Sequence, residues 1–415
     1  MMEIEIPQVE NPVVEEMQLE IANGFVRMQE QRAEGKPVVW RSLLVPAEIF
    51  RAMDVATVYP DLLGGNIGVF GQSGKYCQIA EENGLSRDIC AVHRCTLGLA
   101  FAEGKDELFE LAFAPPDLVV GCNFPCVSYS KSTQHVAKMY NAPYHFLDVP
   151  INTWGDQIPD HAIKYYVSQL KGVIEFLEMH GYKLDMDRLK EEVAFTKTLN
   201  ALIDEIDTYK RATPSPMKPY DSSIALTVPL QITDKTRILD LFTRLRDDLK
   251  DRVEKGVGIV ENEKLRLMWI GNPPIVDFNL LSYPEKHGVV VAKGLLELLT
   301  GFSLDPDLID PDNPLESIAR AHLLSPANPT HHGMLNYILN TVDDYKIDGI
   351  VAVVKRSCGQ LPASLRLSKD EVFDKTGVPT AIFNCEGSDD REYDPVDARA
   401  NLDTFIETLL VRKGA

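Results

Sequence analysis

Cysteines occupy positions 77, 90, 95, 122, 126, 358 and 385, and two of them stand where parallel sheets place their chemistry. In DLVVGCNFPCVSYSK, Asp117 to Lys131, an apolar β-rich run breaks at Gly, Asn and Pro. Cys126 therefore falls at or just beyond the carboxyl end of a buried strand. Cys358 stands in the same relation to DGIVAVVK, residues 348–355. Thiols so placed support three chemistries. A nucleophilic cysteine needs a base and a lowered pKa, and His93 near Cys90 or the His331–His332 pair offers a base. Structural zinc takes ligands in short-spaced pairs; Cys90/Cys95 with Cys122/Cys126 gives C-x4-C and C-x3-C, looser than the usual knuckle. An iron–sulfur cluster takes thiolates from loops, and cysteines converging from two domains suit one held in a cleft. Any one of these residues taken alone is a small buried hydrophobe, so position has to decide.

The elements that must position the thiols read as apolar runs. Helical spacing extends to about Gly35 and is followed by four strand-like runs: VVWRSLLV (38–45), VATVY (55–59), DLVVGC (117–122) and YHFLDV (144–149). From Asp160 to about Glu254 long helical periodicity replaces them, with a Pro/Ser interruption at TPSPMKPYDSS. Strands return as LRLMWIG (265–271), GVVVAKG (288–294), DGIVAVVK (348–355) and PTAIFNC (379–385). The chain is thus divided into an N-terminal helical segment (1–36), a first α/β domain (37–159), a helical segment (160–262) and a second α/β domain (263–415). The two α/β parts repeat one another. Asp117 opens a third strand with Cys126 nine residues on, and Asp348 opens another with Cys358 ten residues on. In each part a helix and a proline, Pro143 or Pro379, then lead into a fourth strand.

Composition narrows the classes. Hydrophobic residues make up 45% and charged residues 25% of 415, and no apolar run approaches the roughly 20 residues that span a bilayer. A net charge of −20 repels nucleic acid and anionic lipid. A polyphosphate remains admissible through a local basic patch such as KRAT (210–213) or VKRS (354–357). The opening MMEIEIPQVENPVVEEM lacks the basic and apolar regions of an export signal, so a cytoplasmic location with reduced thiols is expected, not a disulfide framework.

Several stretches, taken in order, carry a likeness. GKPVVWRSLLVPAEIFRAMDV, YCQIAEENGLSRDICAVHRCTLG, APPDLVVGCNFPCVSYSK, YKIDGIVAVVKRSCGQLP and TGVPTAIFNCEGSDDREYDPVDARANLDTFIETL together resemble the 2-hydroxyacyl-CoA dehydratase and benzoyl-CoA reductase family, most of all the α-type dehydratase subunits. The resemblance covers nearly the whole chain. With the repeat, it implies an α/β chain of two similar Rossmann/flavodoxin-like domains with four-stranded parallel sheets plus a helical segment. It further implies that Cys90, Cys126 and Cys358 hold a 4Fe-4S cluster with one iron lacking a cysteine, that Cys122 packs beside it, and that Cys77, Cys95 and Cys385 are not ligands.

By the same likeness, an ATP-dependent activator carrying its own 4Fe-4S cluster delivers one electron. An acyl-CoA thioester then becomes a ketyl radical anion, from which the 2-hydroxyl and a β-proton leave. A homologous β-type subunit completes the enzyme. Ser42 and His332 are the expected catalytic side chains, His331 stands beside the latter, and Ser357 and the amides after Cys126 and Cys358 are expected to tune the cluster. Arg41 precedes Ser42 where the family often has a small hydroxyl residue, so an acidic acyl tail or a CoA phosphate is a conceivable partner for it. Asp389 and Asp390 either hold loops together through Arg391 or reach the site. Two other readings stand beside the dehydratase: a subunit of an ATP-dependent aryl-CoA reductase, and a non-catalytic iron–sulfur electron carrier.

Overall fold

The eight apolar runs form eight strands: β1 (Val39–Arg41), β2 (Thr57–Val58), β3 (Leu118–Cys122), β4 (Tyr144–Leu147), β5 (Leu265–Ile270), β6 (Val289–Gly294), β7 (Gly349–Val354) and β8 (Thr380–Asn384). The structure is a computed structural model and describes residues 9–155, 157–272, 274–294, 305–325, 328, 331–359 and 361–414. The strands make two wholly parallel sheets, ordered β2-β1-β3-β4 and β6-β5-β7-β8. Both therefore have the order 2-1-3-4, the flavodoxin-like winding without a fifth strand. All five residues of β3 and all six of β5 are buried, as parallel strands covered by helices on both faces require.

The repeat extends to side chains. Asp117 Oδ2 accepts the Val38 amide at 2.7 Å, while the Asp117 amide donates to Val38 O at 2.8 Å. Asp348 treats Arg266 identically, with both bonds at 2.8 Å. Each aspartate thus locks its third strand to the first. Trp40 and Trp269, both fully buried, lie in the paired first strands, opposite Val119 and Val351. β3 has five residues and β7 six, which accounts for the nine- and ten-residue spacings to the cysteines that follow.

One strand is shorter than its sequence suggests. The apolar run predicts extended structure over 38–45, but β1 stops at Arg41. Ser42 O accepts the Val45 amide in a turn, and Pro46 opens the helix Ala47–Ala52. Leu44 and Val45 are buried inside that turn, so their apolar character reports burial and not strand.

Five apolar clusters build the interior. Val39, Val120 and Cys122 pack on one face of the first sheet with the helix Asp160–Met179, and Val38, Trp40 and Val119 pack on the other. The second sheet is covered on one face by the helices His331–Asp344 and Leu361–Thr376 and on the other by Pro395–Lys413. A separate helical core joins Val13, Val14 and Met17 of the N-terminal helix Pro12–Ala33 to Met186–Lys210, Pro219–Gln231 and Lys235–Glu254. Ile318, Ala319 and Leu323, between β6 and β7, pack into the core of the first sheet, so the two halves are interleaved. Among the described residues no helix is long and apolar enough to cross a membrane.

Candidate functional site

Three cysteines stand at helix beginnings. Cys90 immediately precedes the helix Ala91–Phe101, Cys126 precedes Val127–Met139, and Cys358 lies three residues before Leu361–Thr376. All three are half-buried. Partial positive charge at a helix start favours thiolates. The helix after Cys90 is seated tightly because a Cβ on Gly98 would come within 1.9 Å of Tyr76 O, and one on Gly64 within 2.1 Å of Val92 O.

The three thiols share one electrostatic neighbourhood. Burial pushes the Cys126 thiol up to about 12; the Tyr129 and Ser128 amides oppose this, and Cys90 and Cys358 both push it higher. Lys355, just past the end of β7 and 3% exposed, reaches into the same space. Its Nζ donates to Cys90 Sγ at 3.5 Å and to Ser388 Oγ at 2.8 Å, with Glu386 at 3.9 Å. Burial works against the ammonium, but Cys90, Glu386 and Cys358 outweigh it and raise the pKa. Glu386 is fixed in turn by the Ser357 amide at 2.9 Å and hydroxyl at 2.8 Å. The Ser357 hydroxyl is thus committed to a carboxylate.

Ion pairs hold the cysteine loops together. Arg356, two residues before Cys358, pairs with Asp88, two residues before Cys90, at 2.9 Å, and with Glu392 at 2.8 Å. Deeper, the buried Arg94 bonds Glu81 at 2.5 Å and Asp389 at 3.0 Å, and Arg391 bonds Asp389 at 2.7 Å. Asp389 therefore fastens the loop after β8 to the Cys90 helix.

The remaining cysteines are elsewhere. Cys77 and Cys95 face each other at 3.6 Å, both free, in the core beneath the helices of the first sheet. Cys122 packs on the opposite face and donates to Phe124 O at 3.0 Å, burial pushing its thiol up to about 12. Cys385 is partly buried beside the core of the second sheet. The set Cys90, Cys95, Cys122 and Cys126 is thereby split across two cores and does not fit zinc. Among the described residues no three His, Cys, Asp or Glu side chains are placed to hold a single metal ion. Cys126 feels both Cys90 and Cys358, so three thiols from remote stretches share one field, and Lys355 places a cation beside Cys90.

Ser42 lies at the carboxyl end of β1, its amide bonded to Val120 O at 3.0 Å. Among the described residues its buried Oγ makes no hydrogen bond, though it is near enough to Cys122 to favour that thiolate. His331 Nε2 is 3.0 Å from Glu371, which turns it toward a neighbouring helix. The side chain of His332 lies outside the described residues.

One group that the sequence reading did not single out, Asp61, lies beside His93, which it did. Asp61, just past β2, is buried; its Oδ2 accepts the Leu43 amide at 3.1 Å and, among the described residues, its Oδ1 makes no hydrogen bond, with His93 Nδ1 at 3.4 Å. Burial raises this carboxyl to about 7. His93 is lowered to about 3 by burial and by Lys355, and its Nδ1 pairs with Ser132 Oγ at 3.1 Å. Tyr129 stacks edge-on against His93 at 4.9 Å and feels Asp61, Cys126 and Cys90. Asp61 and Lys355 both follow strand ends, the same signal that located Cys126.

Comparison with known proteins gives the family. Residues 42–409 match the family model described as 2-hydroxyglutaryl-CoA dehydratase, D-component. The chain is 24% identical over 398 residues to the (R)-2-hydroxyisocaproyl-CoA dehydratase alpha subunit of Clostridioides difficile, covering 95% of each chain. It is 23% identical to the (R)-phenyllactyl-CoA dehydratase alpha subunit of Clostridium sporogenes, covering 93% of each. A benzoyl-CoA reductase subunit of Thauera aromatica is also 23% identical, over 94% of this chain and 92% of that one.

Proposed function

The chain belongs to the 2-hydroxyglutaryl-CoA dehydratase D-component family, and from that membership we propose that it is the α-type subunit of an oxygen-sensitive (R)-2-hydroxyacyl-CoA dehydratase, which removes water from a 2-hydroxyacyl-CoA to give the 2-enoyl-CoA. Cys90, Cys126 and Cys358 hold its 4Fe-4S cluster in this reading. The observation that carries it is the convergence of thiols from three remote stretches, with Lys355 of one half against Cys90 of the other. When bound, such a cluster supplies a low-potential electron and, at the iron without a cysteine, a Lewis acid for a substrate oxygen.

The chain's own residues do the rest. Asp61 Oδ1 is buried, unbonded among the described residues and near neutral pKa, which suits it to take a proton from the substrate and return it to the departing hydroxyl. Ser42 Oγ has a hydrogen bond still to give and offers it to a substrate oxygen. His93 stays neutral and orients Asp61 and Tyr129 instead of acting as a second acid. Lys355 keeps a positive charge beside the thiolates, and the packed loops exclude water around it.

Relatives named as alpha subunits support a homologous β-type partner. The electron would come from an ATP-dependent 4Fe-4S activator. The likeness to a benzoyl-CoA reductase favours a second reading, an aryl-CoA reductase subunit. Turnover assays of the two-subunit complex with reduced activator separate them: loss of water from a 2-hydroxyacyl-CoA supports the first, reduction of benzoyl-CoA the second. Electron uptake without thioester binding would leave only a carrier.

A further inference from the structure

A cavity of about 420 Å³ runs along the open edge of the first sheet, from Lys36 and Val38 before β1 to Arg41 and Tyr59 at the carboxyl ends of β1 and β2. Six cations line it: Arg27, Lys36, Arg41, Arg51, Arg188 and Lys235. Among the described lining residues two carboxylates, Asp54 and Glu192, face them, so the lining holds four more cations than carboxylates in a chain of net charge −20.

Ion pairs cancel part of it: Arg27 pairs with Glu20 at 3.6 Å, Lys36 with Glu34 at 3.0 Å and Arg188 with Asp54 at 3.7 Å. Glu192 serves two cations at once, Arg51 at 2.7 Å and Lys235 at 2.6 Å. Arg41 is 1% exposed and, among the described residues, forms no ion pair. Its guanidinium is held by Val45 O and the Tyr59 hydroxyl and lies over the Tyr59 ring at 4.3 Å. Burial lowers its pKa, Arg51 lowers it again, and Tyr59 and Glu48 offset only part of this. Two guanidinium groups within each other's field, in a roomy cavity, form an arrangement that an anion stabilises.

Two lining residues, Arg41 and Tyr59, are close along the chain to groups of the thiol site. Ser42 follows Arg41 directly. Asp61 comes two residues after Tyr59, and its Oδ2 holds the Leu43 amide at 3.1 Å. Met28, Val58 and Leu63 add apolar surface to the lining.

We propose that this cavity binds the phosphorylated nucleotide end of the CoA thioester, its arm passing Arg41 and Tyr59 toward Ser42 and Asp61. The assignment rests on the acyl-CoA reading above. Guanidinium forks match phosphate oxygens bidentately, and a lining that mixes cations with apolar side chains suits a phosphorylated headgroup followed by a less polar arm.

The test is calorimetric titration of the anaerobically purified protein with CoA, adenosine 3′,5′-bisphosphate, inorganic phosphate and pantetheine. CoA and the bisphosphate should compete for one site. Lys36 and Arg188 are solvent-accessible at the rim, so Lys36→Glu with Arg188→Glu leaves the fold intact and should weaken both ligands at least tenfold, with pantetheine unchanged. Arg51→Gln, its fold checked by circular dichroism, should do the same. CoA affinity unchanged within twofold in both variants overturns the assignment. Inorganic phosphate competing as well as the bisphosphate also overturns it, since the cavity would then be a bare phosphate site. Neither outcome touches the cluster reading, which fails separately if the same preparation contains no iron.

Discussion

Lys355 Nζ lies 3.5 Å from Cys90 Sγ, a contact between a strand end of one half and a helix start of the other. Nothing local in either segment calls for it. A buried ammonium beside three thiols stabilises negative charge on them and on whatever they hold. Lys355→Met should therefore lower the reduction midpoint of the bound cluster by about 100 mV, since a unit charge several ångströms away at an effective dielectric of about 20 is worth a few kcal/mol. A redox titration followed by electron paramagnetic resonance reads this directly. An unmoved midpoint would leave Lys355 a purely structural residue.

The ion pairs across the cysteine loops should divide by depth. Arg356 and Asp88 are solvent-accessible, so Arg356→Ala should cost less than about 1 kcal/mol. Arg94 is fully buried against Asp389, a carboxylate that Arg391 also holds, so Arg94→Met should cost about 2 kcal/mol by removing a buried charged hydrogen bond. Urea unfolding of the apoprotein compares the two. Equal losses would contradict the assignment of Arg94 as the inner clamp.

Asp61 gives a pH signature. Its carboxyl is raised from an ordinary 3.8 to about 7 by burial, so between those values the folded chain holds a proton that the unfolded chain has lost. Stability is therefore undiminished below about pH 4 and falls as pH rises toward 7. Asp61→Asn abolishes this loss. In the apoprotein its stability relative to the parent should climb across that window, by about 4 kcal/mol at most. The same variant should keep its iron and lose about 100-fold or more in turnover. A flat difference between the two pH profiles would show that Asp61 ionises normally.

Ser42 should separate stability from activity. Among the described residues its buried hydroxyl makes no hydrogen bond, so Ser42→Ala should leave the melting temperature unchanged or slightly raised. Turnover should fall by roughly tenfold if the hydroxyl bonds a substrate oxygen only in the working complex. Thermal unfolding and steady-state kinetics on one preparation decide it.

β1, β3, β5, β6 and β7 are legible because a strand buried on both faces is a nearly continuous apolar run, and the Asp117/Asp348 repeat helps to mark the less buried β2, β4 and β8. β1 is overestimated because Leu44 and Val45 are buried in a turn, and burial looks the same in sequence whatever the backbone does. Cys126 and Cys358 can be picked out as chemistry-bearing because both follow strand ends. Cys90 needs family likeness, since it precedes a helix in a helical insertion and has no strand to mark it. Asp61 and Lys355 stay hidden although they also follow strand ends: an isolated aspartate or lysine acquires meaning only when folding removes its water and brings Cys90 or His93 beside it. The packing of Ile318 and Leu323 onto the first sheet is equally hidden, because an amphipathic helix does not name the face it will cover.

The central claim is that Cys90, Cys126 and Cys358 grip one 4Fe-4S cluster. Iron and acid-labile sulfide, measured per chain on anaerobically purified protein, test it most directly. The expected result is about four of each in the parent and in Cys77→Ser and Cys95→Ser, with loss of most of both in Cys126→Ala and Cys358→Ala. Stoichiometric zinc in place of iron, or full iron retained when Cys126 and Cys358 are removed together, would contradict it.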